Sequence, residues 1–246
     1  MKSVKFLISI ISILTFMGPG LYAQNEMSDW EKAELVRIKT DWPNLARYRA
    51  ENEKLGSPAS GENRVVFMGN SITEGWQYTC PEFFTGRPYF DRGISGQTTP
   101  QMLVRFRPDV IDLKPKVVVI LAGINDIAGN TGPSTLEMIE ANIASMSELA
   151  KAHGIKVVLS SVLPAYDFPW NPGVFPAEKI LTLNQWIKKY ASDNGFTYLD
   201  YYSPMVDERK GLKKEYSEDG VHPNKAGYKV MEPLVEKAIE KALKKK

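Results

Sequence analysis

At 246 residues the chain is long enough for one large or two small domains with a sizeable core, and its 43% hydrophobic content is ordinary for a soluble globular protein. Lysine and arginine number 31 against 29 aspartate and glutamate. Setting aside Lys2 and Lys5 leaves 29 against 29, so no nucleic-acid partner is implied, and the single Cys80 excludes an internal disulfide and reads as a small buried hydrophobe.

Residues 1–23 read as a secretory signal peptide. Lys2 and Lys5 precede an apolar run from Phe6 to Met17, followed by Gly18-Pro19-Gly20 and Leu21-Tyr22-Ala23. The run is too short to span a bilayer, so stable membrane insertion is not expected. Cleavage near Ala23 would leave residues 24–246 as a secreted or periplasmic chain, expected to be a single domain with a leading helical segment. That segment covers Trp30 to Thr40 and Pro43 to Leu55, where apolar residues recur at roughly helical spacing.

After a Ser/Pro/Gly loop at Gly56–Gly61, strand and helix signals alternate. Val65–Met68, Tyr89–Ile94, Val117–Leu121, Lys156–Val162 and Phe196–Leu199 read as strands. Pro100–Leu113, Ser134–His153, Ala177–Asn194 and Asn224–Lys244 read as helices. Nearly all-apolar strands separated by helices argue for an α/β domain whose parallel sheet is covered on both faces. In such sheets the active crevice lies beyond the C-terminal strand ends.

Short polar motifs fall at those ends. In RVVFMGNSITEGW, Ser71 stands at a strand-to-helix junction, the position of a nucleophile above a sheet edge; a helix-capping serine is the other reading. A serine nucleophile needs a base, and a carboxylate to orient that base. His222, in SEDGVHPNKAGY, is the candidate base, and Asp219, separated from it by the turn at Gly220, is its candidate partner. The other histidine, His153, ends a helix before Gly154 and has a sufficient structural explanation there. Gly93 in RGISGQTT and Asn125 in LAGINDIAG are candidate oxyanion donors, though a turn glycine and a loop-capping asparagine would serve those positions equally.

Taken together, Ser71, Gly93, Asn125 and His222 on these motifs resemble the four blocks of the SGNH (GDSL-type) hydrolase family, from about Arg64 to Tyr228. The resemblance implies a flavodoxin-like three-layer αβα fold with a five-stranded parallel sheet, no metal or other cofactor, and ester hydrolysis through an acyl-serine. It makes Ser71 the nucleophile and first oxyanion donor, Gly93 and Asn125 the further donors, His222 the base and Asp219 its partner. The family's first block usually carries Asp where this chain has Asn70.

The loop Pro164–Pro176, PAYDFPWNPGVFP, should border the crevice, and its Trp170 and Phe168 are expected to bind substrate because aromatic faces suit the C–H faces of sugar rings; aromatics that merely pack a proline-rich loop down are the other reading. The expected substrate is a small-molecule or polysaccharide ester with a short, acetyl-like acyl group. A lysophospholipase or thioesterase is the alternative among ester hydrolases, an acyl transferase differs only in its acceptor, and a catalytically silent carbohydrate-binding protein is the alternative of another class.

Overall fold

The computed structural model describes residues 28–245. The signal peptide expected at residues 1–23 lies outside them. The unit that holds the sheet begins at Arg37, and residues up to Val36 fall outside it. In chain order the elements are α1 (Asp29–Thr40), α2 (Arg49–Leu55), β1 (Val65–Gly69), α3 (Ser71–Thr79), β2 (Tyr89–Gly93), α4 (Thr99–Asp109), β3 (Val117–Ile120), α5 (Ile124–Ile127), α6 (Leu136–Ala152), β4 (Lys156–Ser160), α7 (Ala177–Asp193), β5 (Thr197–Leu199), α8 (Tyr202–Met205) and α9 (Lys225–Lys244).

The five strands pair in parallel in the order β2-β1-β3-β4-β5, the flavodoxin-like order. Because β1 is flanked by both β2 and β3, the chain reverses direction across the sheet there, and the crevice opens at the C-terminal end of β1. Helices α4, α6 and α7 contact one another in sequence, while α3 and α9 meet through their side chains on the other face. Every residue of β1 and β3 is buried, as strands covered on both faces must be.

Two glycines let α3 descend onto the sheet. Gly69 and Gly93 are register partners at the ends of β1 and β2. A Cβ on Gly69 would lie 1.9 Å from Thr73 Oγ1, and one on Gly93 would lie 2.2 Å from the Glu74 backbone nitrogen. The first turn of α3 therefore occupies the space that side chains would take. Further along, buried Trp76 stacks on Phe83 at 4.8 Å and on Tyr228 of α9 at 5.3 Å. Each aromatic pair of this kind adds roughly 0.5–1.5 kcal/mol beyond its buried area. The Tyr228 hydroxyl donates to the Ile72 carbonyl at 2.8 Å, so the helix that follows the His222 loop is fastened to the one that begins with Ser71.

The second leading helix is shorter than its apolar spacing predicts. Residues before Arg49 form turns, because Asn44 takes a left-handed φ of 56° and the Asp41 carboxylate accepts the Leu45 and Ala46 N–H groups at 2.8 and 2.9 Å. That turn segment matters: the Trp42 and Pro43 carbonyls accept from the Gln101 and Gln97 side-chain amides at 2.9 and 2.7 Å, which braces the start of α4.

Candidate active site

Ser71 is the first residue of α3, and Asn70 is its N-cap, with Oδ1 accepting the Ile72 N–H at 3.1 Å. The capping reading of Ser71 is thereby taken by its neighbour, and the Ser71 hydroxyl is left to face elsewhere. It meets His222 Nε2 at 2.9 Å. Asn70 is fully buried and its Nδ2 has no hydrogen-bond partner among the described residues. The carbonyl half of this side chain thus does the capping that a carboxylate would do.

His222 Nδ1 lies 2.6 Å from Asp219 Oδ2. Burial opposes the charge on Asp219, but hydrogen bonds from the His222 ring and from the His222 and Val221 backbone N–H groups outweigh it and hold the carboxyl down to about 2. An ionised carboxylate only accepts, so Nδ1 carries the proton and donates; in the neutral ring Nε2 then accepts from the Ser71 O–H. The turn is held by Ser217, whose oxygen accepts the Gly220 N–H at 2.9 Å and whose hydroxyl donates to the His222 carbonyl at 2.7 Å. Asn224 caps α9 by accepting the Gly227 N–H at 3.1 Å. His153 caps α6, its Nδ1 2.8 Å from the Leu149 carbonyl, and takes no part in this cluster.

Asn125 is buried in the short helix α5 and donates one amide hydrogen to the Gln97 carbonyl at 3.0 Å. An amide nitrogen carries two hydrogens, so one remains for a ligand. Its neighbour Asp126 accepts the Thr99 N–H and hydroxyl, at 3.0 and 2.6 Å, and so ties this loop to the start of α4. Sequence reasoning missed Asp126, although an aspartate facing a helix start is the ordinary means of satisfying free N–H groups.

The Gly93 assignment requires correction. Its N–H donates to Asp91 Oδ1 at 2.7 Å, so that donor is spent inside the fold, and its missing Cβ serves the approach of α3. The same motif offers Gly96 instead. Gly96 is exposed with φ of 76°, and its N–H has no hydrogen-bond partner among the described residues. Its carbonyl accepts from Asn130 Nδ2 at 3.3 Å, and Asn130 Oδ1 accepts the Trp170 indole N–H at 3.1 Å. Trp170 in turn lies 5.8 Å from the His222 ring with 43% of its surface exposed. Gly96, Asn130, Trp170 and His222 therefore form one rim.

The loop carrying Gly96 is tethered from below. Glu74 Oε2 accepts the Ser95 N–H and hydroxyl, while Oε1 takes Arg47 at 3.3 Å. Fully buried Arg105 donates to Gln97 Oε1 at 2.5 Å, to the Gly69 carbonyl at 2.9 Å and to Asp109 at 3.0 Å. The Tyr48 hydroxyl bonds the Gly93 carbonyl. None of these supports was read from the sequence.

Phe168 also needs correction. It is completely buried, its ring 5.2 Å from that of Trp170, so it supports the loop from within rather than offering an exposed stacking face. Among the described residues no group of three or more His, Cys, Asp or Glu side chains is arranged to hold a metal ion, and no helix is long and apolar enough to cross a membrane.

Known proteins resemble this chain in sequence pattern and in fold. The sequence pattern of the GDSL-like lipase/acylhydrolase family matches residues 67–230. A structure from Bacteroides fragilis, assigned as an acylhydrolase, is 53% identical and superposes with a TM-score of 0.81, covering 83% of this chain and 99% of that one. A GDSL-like lipase from Bacteroides thetaiotaomicron is also 53% identical, with a TM-score of 0.80 over 82% of this chain and all of that one (100%). An acetylxylan esterase of Xylanibacter ruminicola is 26% identical over 224 residues, 76% of this chain and 45% of that protein. The chain spans about half the length of the curated relatives it matches. By sequence pattern and by fold, the chain belongs to the GDSL-like lipase/acylhydrolase family of ester hydrolases.

Proposed function

We propose that this chain is an exported serine esterase that removes short acyl groups, acetyl first among them, from carbohydrate hydroxyls through an acyl-Ser71 intermediate. The observation that carries the reading is the hydrogen-bonded chain from Ser71 Oγ through the His222 ring to Asp219.

In this reading Ser71 Oγ attacks the acyl carbonyl carbon while its proton passes to His222 Nε2. The imidazolium that forms is stabilised by ionised Asp219, which keeps its own charge. The developing oxyanion is met by N–H groups already fixed in place: the backbone N–H of Ser71 at the start of α3, that of Gly96, and the second amide hydrogen of Asn125. Collapse of the tetrahedral species expels the alkoxide of the sugar, which takes the proton from Nε2. Water then attacks the acyl carbonyl, giving its proton to Nε2, and Ser71 leaves with that proton restored.

The carbohydrate assignment is supported by Trp170, an exposed aromatic face beside His222, and by the acetylxylan esterase among the relatives. Export rests on residues 1–23 and on polysaccharide esters being substrates available outside the cytoplasm. The test is kcat/KM over acetyl to octanoyl esters of one alcohol, together with acetate release from acetylated xylan and pectin. A lipid-type pocket would gain about 0.8 kcal/mol for each added CH₂. A flat or falling series with acetate released is expected; a steady rise towards octanoyl with no acetate from any glycan would transfer the reading to lipid esters.

A further inference from the structure

We propose that a cavity on the Asp219 side of the active site is a second sugar subsite, which takes a neighbouring glycosyl unit of the same acetylated oligosaccharide. The inference rests on the carbohydrate reading above and adds to it where the unit next to the acylated one is held. The cavity measures about 320 Å³, within the range of small-ligand sites, and its walls include Tyr166, Pro169, Pro172 and Arg209. Asp219 and Gly220 also line it. Because Asp219 bonds one nitrogen of His222 and Ser71 bonds the other, the cavity adjoins the reacting centre across a single imidazole.

Both sides of the cavity are built before any ligand arrives. On one side, Asp167 accepts the Gly173 N–H at 2.7 Å and the Val174 N–H at 3.1 Å, which closes the aromatic loop on itself. On the other, Asp207 Oδ1 accepts the Arg209 and Gly211 N–H groups, each at 2.8 Å. The two loops touch where a Cβ on Gly211 would come within 3.0 Å of Tyr166 Cβ. That closeness sets the base of the Tyr166 side chain against the second loop, and the Arg209 guanidinium carbon lies 5.0 Å from the ring centroid.

Outside the cavity, Tyr166 has a neighbouring aromatic in a position that packing alone does not call for. Tyr166 is 45% exposed and Phe175 is 59% exposed, and their rings meet edge to face at 5.9 Å. Phe175 holds φ at 46°, a left-handed conformation that a bulky residue rarely adopts. A strained backbone that presents an apolar ring to water fits a binding surface better than it fits a core. The Tyr166 ring and two prolines for C–H faces, with a guanidinium for hydroxyl oxygens, make the mixed lining that a pyranose requires.

The test compares kcat/KM on acetylated xylotetraose and on acetylated methyl xyloside for the full chain and for Tyr166→Ala and Arg209→Ala. The unaltered chain should favour the tetraose, and each variant should reduce that preference by about fivefold, the worth of one aromatic or cation–π contact. Equal use of the two substrates by the unaltered chain, or an undiminished preference in both variants, would overturn the subsite while leaving the acetylesterase reading intact. If an aryl acetate is hydrolysed but neither glycan releases acetate, the carbohydrate reading fails and the subsite with it.

Discussion

Glu74 Oε2 accepts both the backbone N–H and the hydroxyl of Ser95, at 2.9 and 2.6 Å, so one carboxylate oxygen fixes the residue that precedes Gly96. Glu74 stands on α3 three residues after Ser71, and the contact sets the glycine loop against the helix that carries the nucleophile. Hydrogen bonds to a charged group are worth about 1.5–3 kcal/mol. If Gly96 serves the oxyanion, Glu74→Ala should lower kcat by roughly ten- to hundredfold with little change in KM. Glu74→Gln, which retains an acceptor oxygen, should recover part of the loss. A variant that melts earlier but keeps its kcat would reduce Glu74 to a stabilising contact.

Asn125 is expected to act on the transition state more than on the bound substrate, because its free amide hydrogen is held in place by the bond to Gln97. Loss of one oxyanion donor typically costs about 10²–10³ in kcat. Asn125→Ala should show that loss at nearly constant KM in steady-state kinetics on an acetyl ester. A rise in KM with kcat retained would make Asn125 a substrate-binding residue instead.

Asp91 should make stability depend on pH. It is buried, its Oδ2 has no partner among the described residues, and burial raises its carboxyl to about 7 in spite of the Gly93 N–H bond. An acid whose folded value lies above its unfolded one binds a proton more readily when folded. Its cost to stability is therefore absent below about 4 and grows as pH rises to about 7, by up to roughly 4 kcal/mol. Asp91→Asn should remove this trend, so that denaturant unfolding at pH 5 and pH 8 differs less in the variant than in the unaltered chain. The same difference in both would place the titration elsewhere.

The strands were legible because fully buried parallel strands read as continuous apolar runs, and Val65–Met68 and Val117–Leu121 have no polar interruption. The hydrogen-bonded cluster was legible because Ser71 and His222 sit in short polar motifs at element boundaries, where an uncapped hydroxyl and an imidazole have no packing role. Which glycine of RGISGQTT offers its N–H was not legible from types alone. One glycine serves close approach and the other a left-handed turn, although Asp91, two residues before Gly93, is the spacing at which an aspartate turns back on the backbone. Phe168 and Trp170 differ in which side of the loop each takes, and the bonds that anchor this loop, from the Trp170 indole to Asn130 and from Asn171 to the Ala128 carbonyl, are tertiary features. The turn at Pro43 defeated helical periodicity because Asp41 offered the backbone a competing partner.

Ser71 is proposed above all as the covalent nucleophile. The most direct measurement is peptide mass analysis after treatment with a serine-directed organophosphate, paired with turnover of an acetyl ester by Ser71→Ala. One adduct is expected, on the peptide containing Ser71, with a variant that stays folded but loses nearly all activity, as members of a catalytic unit do. An adduct on any other residue, or full activity in Ser71→Ala, would contradict it.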